Sequence, residues 1–125
     1  MASELRVNTL KDAAGNNSVA MTYVAQTPKG WSRIPDTHDA LTDSFNASSI
    51  ADNGTGQATI SLVSSMSDAN YCGTSASGHI GSGNTAKHTF IKDLAASNYL
   101  VFAGDTASNN NQDYGGSYSI LGDLA

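Results

Sequence analysis

"DSFNASSIADNGTGQATISLV" (residues 43–63) decides the fold. Its last seven residues, "QATISLV", set Ala58, Ile60 and Leu62 on one side and Gln57, Thr59 and Ser61 on the other. That is the two-residue period of a strand with one face in a core and one in solvent. The "ADNGTG" before it gathers Asp52, Asn53, Gly54 and Gly56; Asn-Gly suits a turn with positive φ at both central positions, and Gly56 supplies a further bulge. Two antiparallel strands are therefore joined there. The preceding "SFNASSIA" is expected to bury Phe45 and Ala47 and then to shift parity at Ile50, which predicts a bulge just before the turn.

The same grammar extends in both directions. Upstream, "ELRVNTL" and "SVAMTYVA" flank the turn-rich "KDAAGNN" and predict an N-terminal hairpin or a pair of extended segments. Pro28, Gly30 and Pro35 then interrupt regular structure, so a corner containing Trp31 is expected. Downstream, "NYCGTSA", "KHTFIKDL", "NYLVFAG" and "SYSILG" are short runs bounded by Gly, Asn, Asp or Ser, and no stretch sustains a helical period. The expected fold is all-β: an antiparallel β-sandwich or jelly-roll-like domain over residues 29–125, preceded by an extended N-terminal arm over residues 1–28. Without an exact internal repeat, a solenoid is disfavoured.

Composition narrows the function. A chain of 125 residues matches one ordinary domain. Its net charge of −5, with only six Lys and Arg, argues against a nucleic-acid partner, whose phosphates are bound chiefly by cations. Charged residues make up 14%, so the polar surface consists of hydroxyls and amides more than ions. The single Cys72 rules out an intramolecular disulfide and reads as a small buried hydrophobe. The first dozen residues hold charges and no apolar run fit for a signal h-region or a membrane span, so neither secretion by that route nor membrane insertion is expected. The N-x-S/T triplets at Asn16, Asn46 and Asn53 accordingly read as by-products of composition.

Catalytic patterns are not found. "GHIGSGNT" lacks the Lys and the strand-to-helix context of a phosphate loop. His38, His79 and His88 have no metal-ligand spacing with one another or with Cys72, and read as surface or loop histidines. "DTASNNNQD" is rich in oxygen but does not fit a calcium loop. Glu4 is the only glutamate, and no acid stands in an apolar setting suited to glycoside hydrolysis. No metal, cofactor or enzymatic activity is expected. The two polar loops "GTSASGHIGSGNTA" and "GDTASNNNQDYGG" are too long for tight turns, and loops on a rigid sheet are where binding specificity usually lies.

Three segments, "SELRVNTLKDAAGNNSVAM", "DSFNASSIADNGTGQATISLVSSMSDANY" and "SILGDLA", resemble segments of structural proteins of tailed bacteriophages, especially tail-fibre-like proteins of marine phages. The resemblance implies an attachment or trimerising arm, a β-sandwich head, and a virion component without enzymatic activity, assembled in the host bacterial cytoplasm. It is silent from Thr74 to Asp105. An arm of 25 residues reaches at most roughly 80 Å, which excludes a long fibre. The expectation is a short fibre, knob or decoration on tail or capsid, a homotrimer in contact with other virion proteins. Leu5, Val7, Leu10, Val19, Met21 and Tyr23 are the expected assembly residues. The alternative is a carbohydrate-binding module for host surface glycans, with Trp31, Tyr114 or Tyr118 stacking on sugar rings and Asn109, Asn110 and Asn111 hydrogen-bonding them.

Overall fold

In the computed structural model, residues 9–11, 18–20, 27–77, 87–105 and 110–125 are described. Their strands are β1 (Thr9–Lys11), β2 (Ser18–Ala20), β3 (Gly30–Ile34), β4 (Asp43–Phe45), β5 (Ala47–Asp52), β6 (Gln57–Leu62), β7 (Cys72–Ser77), β8 (Lys87–Ala95), β9 (Asn98–Asp105), β10 (Asn110–Asn111) and β11 (Gly116–Leu121). Among the described residues there is no helix, and the fold is all-β.

Two antiparallel sheets face each other. One runs β4-β3-β11-β7. In the other, β9 pairs β8 along one edge and β6 followed by β10 along the opposite edge, with β5 beyond β6. Alternation fills the space between them. Ser32 and Ile34 of β3 and Tyr118 and Ile120 of β11 point inward from the first sheet; Ala58 and Ile60 of β6 and Tyr99 and Val101 of β9 do so from the second. Met66 and Tyr71, from the link between β6 and β7, complete the cluster. Each fully buried Ile or Val contributes about 1.5–3 kcal/mol. A polar bridge crosses this core: the Ser32 and Tyr99 hydroxyls lie 3.0 Å apart, one from each sheet.

The opening stretch forms the hairpin β5–β6, with Ala58, Ile60 and Leu62 turned to the core as their alternation requires. Three of its details differ from expectation. Positive φ falls on Gly54 (103°) and Gly56 (73°) and not on Asn53, so the Asn-Gly pair is not the centre of the turn. The bulge lies between Ala47 and Ser49, with Ile50 packed on the core. Phe45, expected inside, is 55% exposed. The cause of the last two is Asn46, whose φ of 59° turns the chain out of the first sheet at the end of β4 and into the second at β5. Its side chain holds that corner: Nδ2 donates to Lys29 O (2.9 Å) and Ser64 O (3.1 Å), and Oδ1 accepts from Ser64 N (2.7 Å).

Pro28 and Pro35 bracket a strand instead of interrupting one. β3 lies between them, in the middle of its sheet, and Trp31 stands on its outer face. Gly30 and Ser32 occupy inward positions where an apolar residue would have announced a strand. Cys72, expected inside, is exposed. His38, expected at the surface, is completely buried: its Nε2 lies 2.9 Å from Tyr114 O and its Nδ1 3.8 Å from Asp113 Oδ1. His79 lies outside the described residues. The N-terminal hairpin pairs Thr9 with Ala20, Leu10 with Val19 and Lys11 with Ser18.

Candidate functional site

The distribution of aromatic residues inverts the usual order of burial. Tyr71, Tyr99 and Tyr118 are in the core, while Phe45, Phe90 and Trp31 are 55%, 40% and 39% exposed. Phenylalanine is normally the more deeply buried type. The inner tyrosines have local reasons for their place. The Tyr71 hydroxyl donates to the carbonyls of Ala95 (2.9 Å) or Asn98 (3.0 Å), and that of Tyr99 is matched by Ser32. Tyr118 differs, since its hydroxyl and the Thr89 hydroxyl are buried near each other without a well-formed hydrogen bond among the described residues. Burial holds all three phenols above the ordinary tyrosine range, Tyr118 furthest. No such reason applies to the outer phenylalanines, and exposed apolar surface of this kind marks contact sites.

Two outer faces result. On the first sheet, Trp31 stands opposite Phe45 on one side and Ser119 on the other, with Thr74 next to Ser119. One position along, Arg33 stands between Asp43 and Ser117. The hydroxyls beside Trp31 satisfy each other, Thr74 Oγ1 lying 2.7 Å from Ser119 Oγ. The trough over these small residues is shallow, about 260 Å³.

The second sheet carries the more elaborate surface, a grid made by the pairing of β8, β9, β6 and β10. Phe90, Phe102 and Gln57 form one row, and His88, Gly104 and Asn111 the next. Rings stack within and between rows: Phe90 on its row partner Phe102 with centroids 4.7 Å apart and planes 24° from parallel, and His88 of the next row on Phe90 at 5.8 Å and 10°. These are offset-stacked geometries, each favourable by about 0.5–1.5 kcal/mol beyond area burial. Lys92 Nζ lies 5.5 Å from the Phe102 ring and 3.5 Å from Asp93 Oδ2. Gly104 makes the recess. A β-carbon there would come within 2.9 Å of His88 Cε1 and Nε2 and 3.0 Å of Asn110 O, so only glycine lets the imidazole lie over the strand. The resulting hollow, about 400 Å³, is lined by His88, Phe90, Phe102, Asn110 and Asn111.

Of the residues expected to bind glycan, the structure brings Asn110 and Asn111 together in this hollow. Trp31 is on the outer face of the other sheet. Tyr118 is in the core, 2% exposed, and is corrected from a sugar-stacking to a packing residue because its strand alternation turns it inward. Tyr114 is half-buried, with Lys87 Nζ 3.5 Å from its ring centroid. Asn109 and the assembly residues Leu5, Val7, Met21 and Tyr23 lie outside the described residues, and Leu10 and Val19 face each other in register in the N-terminal hairpin. Sequence reasoning missed Phe90, Phe102, His88 and Gln57. The signal was present as alternation, His88, Phe90 and Lys92 against Thr89 and Ile91, but both sets of β8 and β9 contain apolar residues and period alone does not say which faces out.

Among the described residues no group of three or more His, Cys, Asp or Glu is arranged to hold a metal, and no helix is long and apolar enough to cross a membrane. Comparison of the chain with models of protein families, with curated proteins and with solved structures gives no match.

Proposed function

We propose that this chain is a non-enzymatic virion structural protein, a short fibre, knob or decoration on a phage tail or capsid, assembled as a homotrimer in the host bacterial cytoplasm and attached to other virion proteins. The observation that carries this reading is the two-sheet sandwich itself: among the described residues the buried cluster runs from Ile34 to Ile120, so a packed head follows the arm in the chain. Every member of that cluster lies within residues 34–120. That supports giving Leu5, Val7, Leu10, Val19, Met21 and Tyr23 to contacts with neighbouring chains, as the resemblance to tail-fibre-like proteins implies. The Trp31–Phe45 pair fits the same scheme, because Trp31 follows closely on the arm, where Lys29 N donates to Ile120 O (2.8 Å). An arm that gathers three heads draws this apolar face toward its neighbours.

Light scattering on the full chain and on a chain lacking residues 1–28 tests the proposal. The expected result is a trimer for the first and a folded monomer for the second. A full-length monomer at high concentration, or a truncated chain that still forms trimers, overturns the assignment of assembly to the arm. Copy number in intact particles then separates a tail position, which follows threefold or sixfold counts, from a capsid lattice position.

A further inference from the structure

We infer that the hollow over Gly104, walled by His88, Phe90, Phe102, Asn110 and Asn111, is a binding site for one or two pyranose rings of an uncharged glycan. This goes beyond the structural role proposed above and does not depend on it, since the residues that wall the site all belong to one chain and to strands β8, β9 and β10.

Four features of the surface select this ligand. Its size, about 400 Å³, lies at the lower end of the roughly 300–1,000 Å³ of small-ligand sites. Its chemistry is amphiphilic in the sense a pyranose is: stacked rings offer apolar area to the C–H face of a sugar, and the exposed amides of Asn110 and Asn111 supply donors and acceptors for its hydroxyls. A wholly apolar occupant, such as a lipid chain or an apolar helix face, would strip water from those exposed amides without replacing their hydrogen bonds. Nucleic acid would also stack on the rings, but its phosphates need cations. The two lysines of β8 are engaged, Lys92 with Asp93 and Phe102, and Lys87 with Tyr114, on a chain of net charge −5.

The site is also preorganised. Its rings stand on paired strands and lock one another by stacking, and His88 is fixed over the bare backbone of Gly104. Rigid aromatic groups lose little conformational entropy when a ligand arrives. The Trp31 face is the less suitable of the two: its trough is shallower and its hydroxyls are already bonded to each other.

The test uses the full chain on an array of neutral and acidic bacterial polysaccharides, followed by titration of the best neutral oligosaccharide into wild type, F90A, N111A and W31A. The expected result is capture by neutral glycans, affinity reduced at least tenfold in F90A and several-fold in N111A, and no change in W31A. Phe90 and Asn111 are exposed, so both variants are expected to fold, and thermal melting checks it. Retention on no glycan, preference for acidic ones only, or equal binding by F90A overturns the site. A loss in W31A instead moves binding to the opposite face and overturns it equally. None of these outcomes alters the oligomeric mass by which the structural role is judged.

Discussion

Replacing Gly56 with alanine should be among the most damaging single-methyl additions in this chain, and the structure gives the size of the effect. Gly56 has φ of 73°, where an L-residue costs about 1–2 kcal/mol. Its new β-carbon would collide with the Ala103 carbonyl oxygen and lie 2.9 Å from Gln112 N and 3.0 Å from Asn111 Cβ. The neighbours on two sides are backbone, so the turn itself must withdraw. That movement sacrifices Ala103 N→Gly56 O (2.8 Å) and Gly56 N→Asp113 Oδ1 (2.5 Å), worth about 0.5–1.5 kcal/mol for the neutral bond and about 1.5–3 kcal/mol for the one to a carboxylate. The total is about 3–6 kcal/mol, a large part of the 5–15 kcal/mol typical of a whole domain. Gly54 is the internal control: its φ is 103°, but nothing stands within 4 Å of a β-carbon there, so alanine costs only the backbone conformation, about 1–2 kcal/mol. Urea denaturation of the two variants measures the gap. With slopes of about 1–3 kcal/mol per molar, a gap of about 2–4 kcal/mol puts the midpoint of G56A about 1–4 M below that of G54A. Midpoints within experimental error of each other would refute the packing argument and leave φ alone as the determinant.

The tyrosines supply a paired test: Y118F removes a buried hydroxyl that makes no well-formed hydrogen bond and should change stability by no more than about 1 kcal/mol, while Y99F leaves the Ser32 hydroxyl buried alone and should destabilise by about 1–3 kcal/mol, both read by denaturant titration. Burial raises the native phenols of Tyr71, Tyr99 and Tyr118, so their contribution to stability is intact below about pH 10, the unfolded value, and is lost as pH rises above it and the unfolded chain releases protons that the native chain retains. Phenolate absorbance of these three should therefore appear together with loss of the native circular dichroism, and titration with the native signal intact contradicts it. At the sheet-crossing corner, N46A should cost about 2–4 kcal/mol through lost hydrogen bonds and a left-handed φ, and N46G about 1 kcal/mol less because glycine tolerates that φ; equal melting temperatures for the two would show that backbone strain is not involved.

The hairpin β5–β6 was legible because one face of "QATISLV" is apolar and the other is not, a contrast that fixes both element and orientation. The strands β7, β8, β9 and β11 were legible as elements, yet the orientation of β8 and β9 was not, since Phe90 and Phe102 compete with Ile91, Tyr99 and Val101 for the inside. β3 was hidden for a different reason: Gly30 and Ser32 fill inward positions usually held by larger apolar groups, and the flanking prolines suggested interruption where they mark boundaries. The half of the candidate site that came from composition, Asn110 and Asn111, was foreseen as polar loop. The other half depends on cross-strand register, which brings residues 88, 90, 102, 104 and 111 together; the β8–β9 hairpin shifts its register at an irregularity between Lys92 and Ala95 that no local pattern announced.

The corner at Asn46 has a consequence for crowding. Because the chain passes there from one sheet to the other, β4 ends after three residues and β5 begins with a bulge, while on the far side β7 and β8 lie against each other, joined by Ser75 Oγ donating to Thr89 O (2.6 Å). Each sheet edge thus carries a feature that hinders recruitment of a strand from another molecule, the usual route by which β-proteins aggregate at high local concentration: β4 is short, β5 is bulged, and β7 and β8 cover each other. Many copies can therefore be held side by side, or the chain stored at high concentration, without one sandwich templating the next. Concentrated solutions should stay free of thioflavin-positive material even when destabilised by moderate urea, until the corner itself opens.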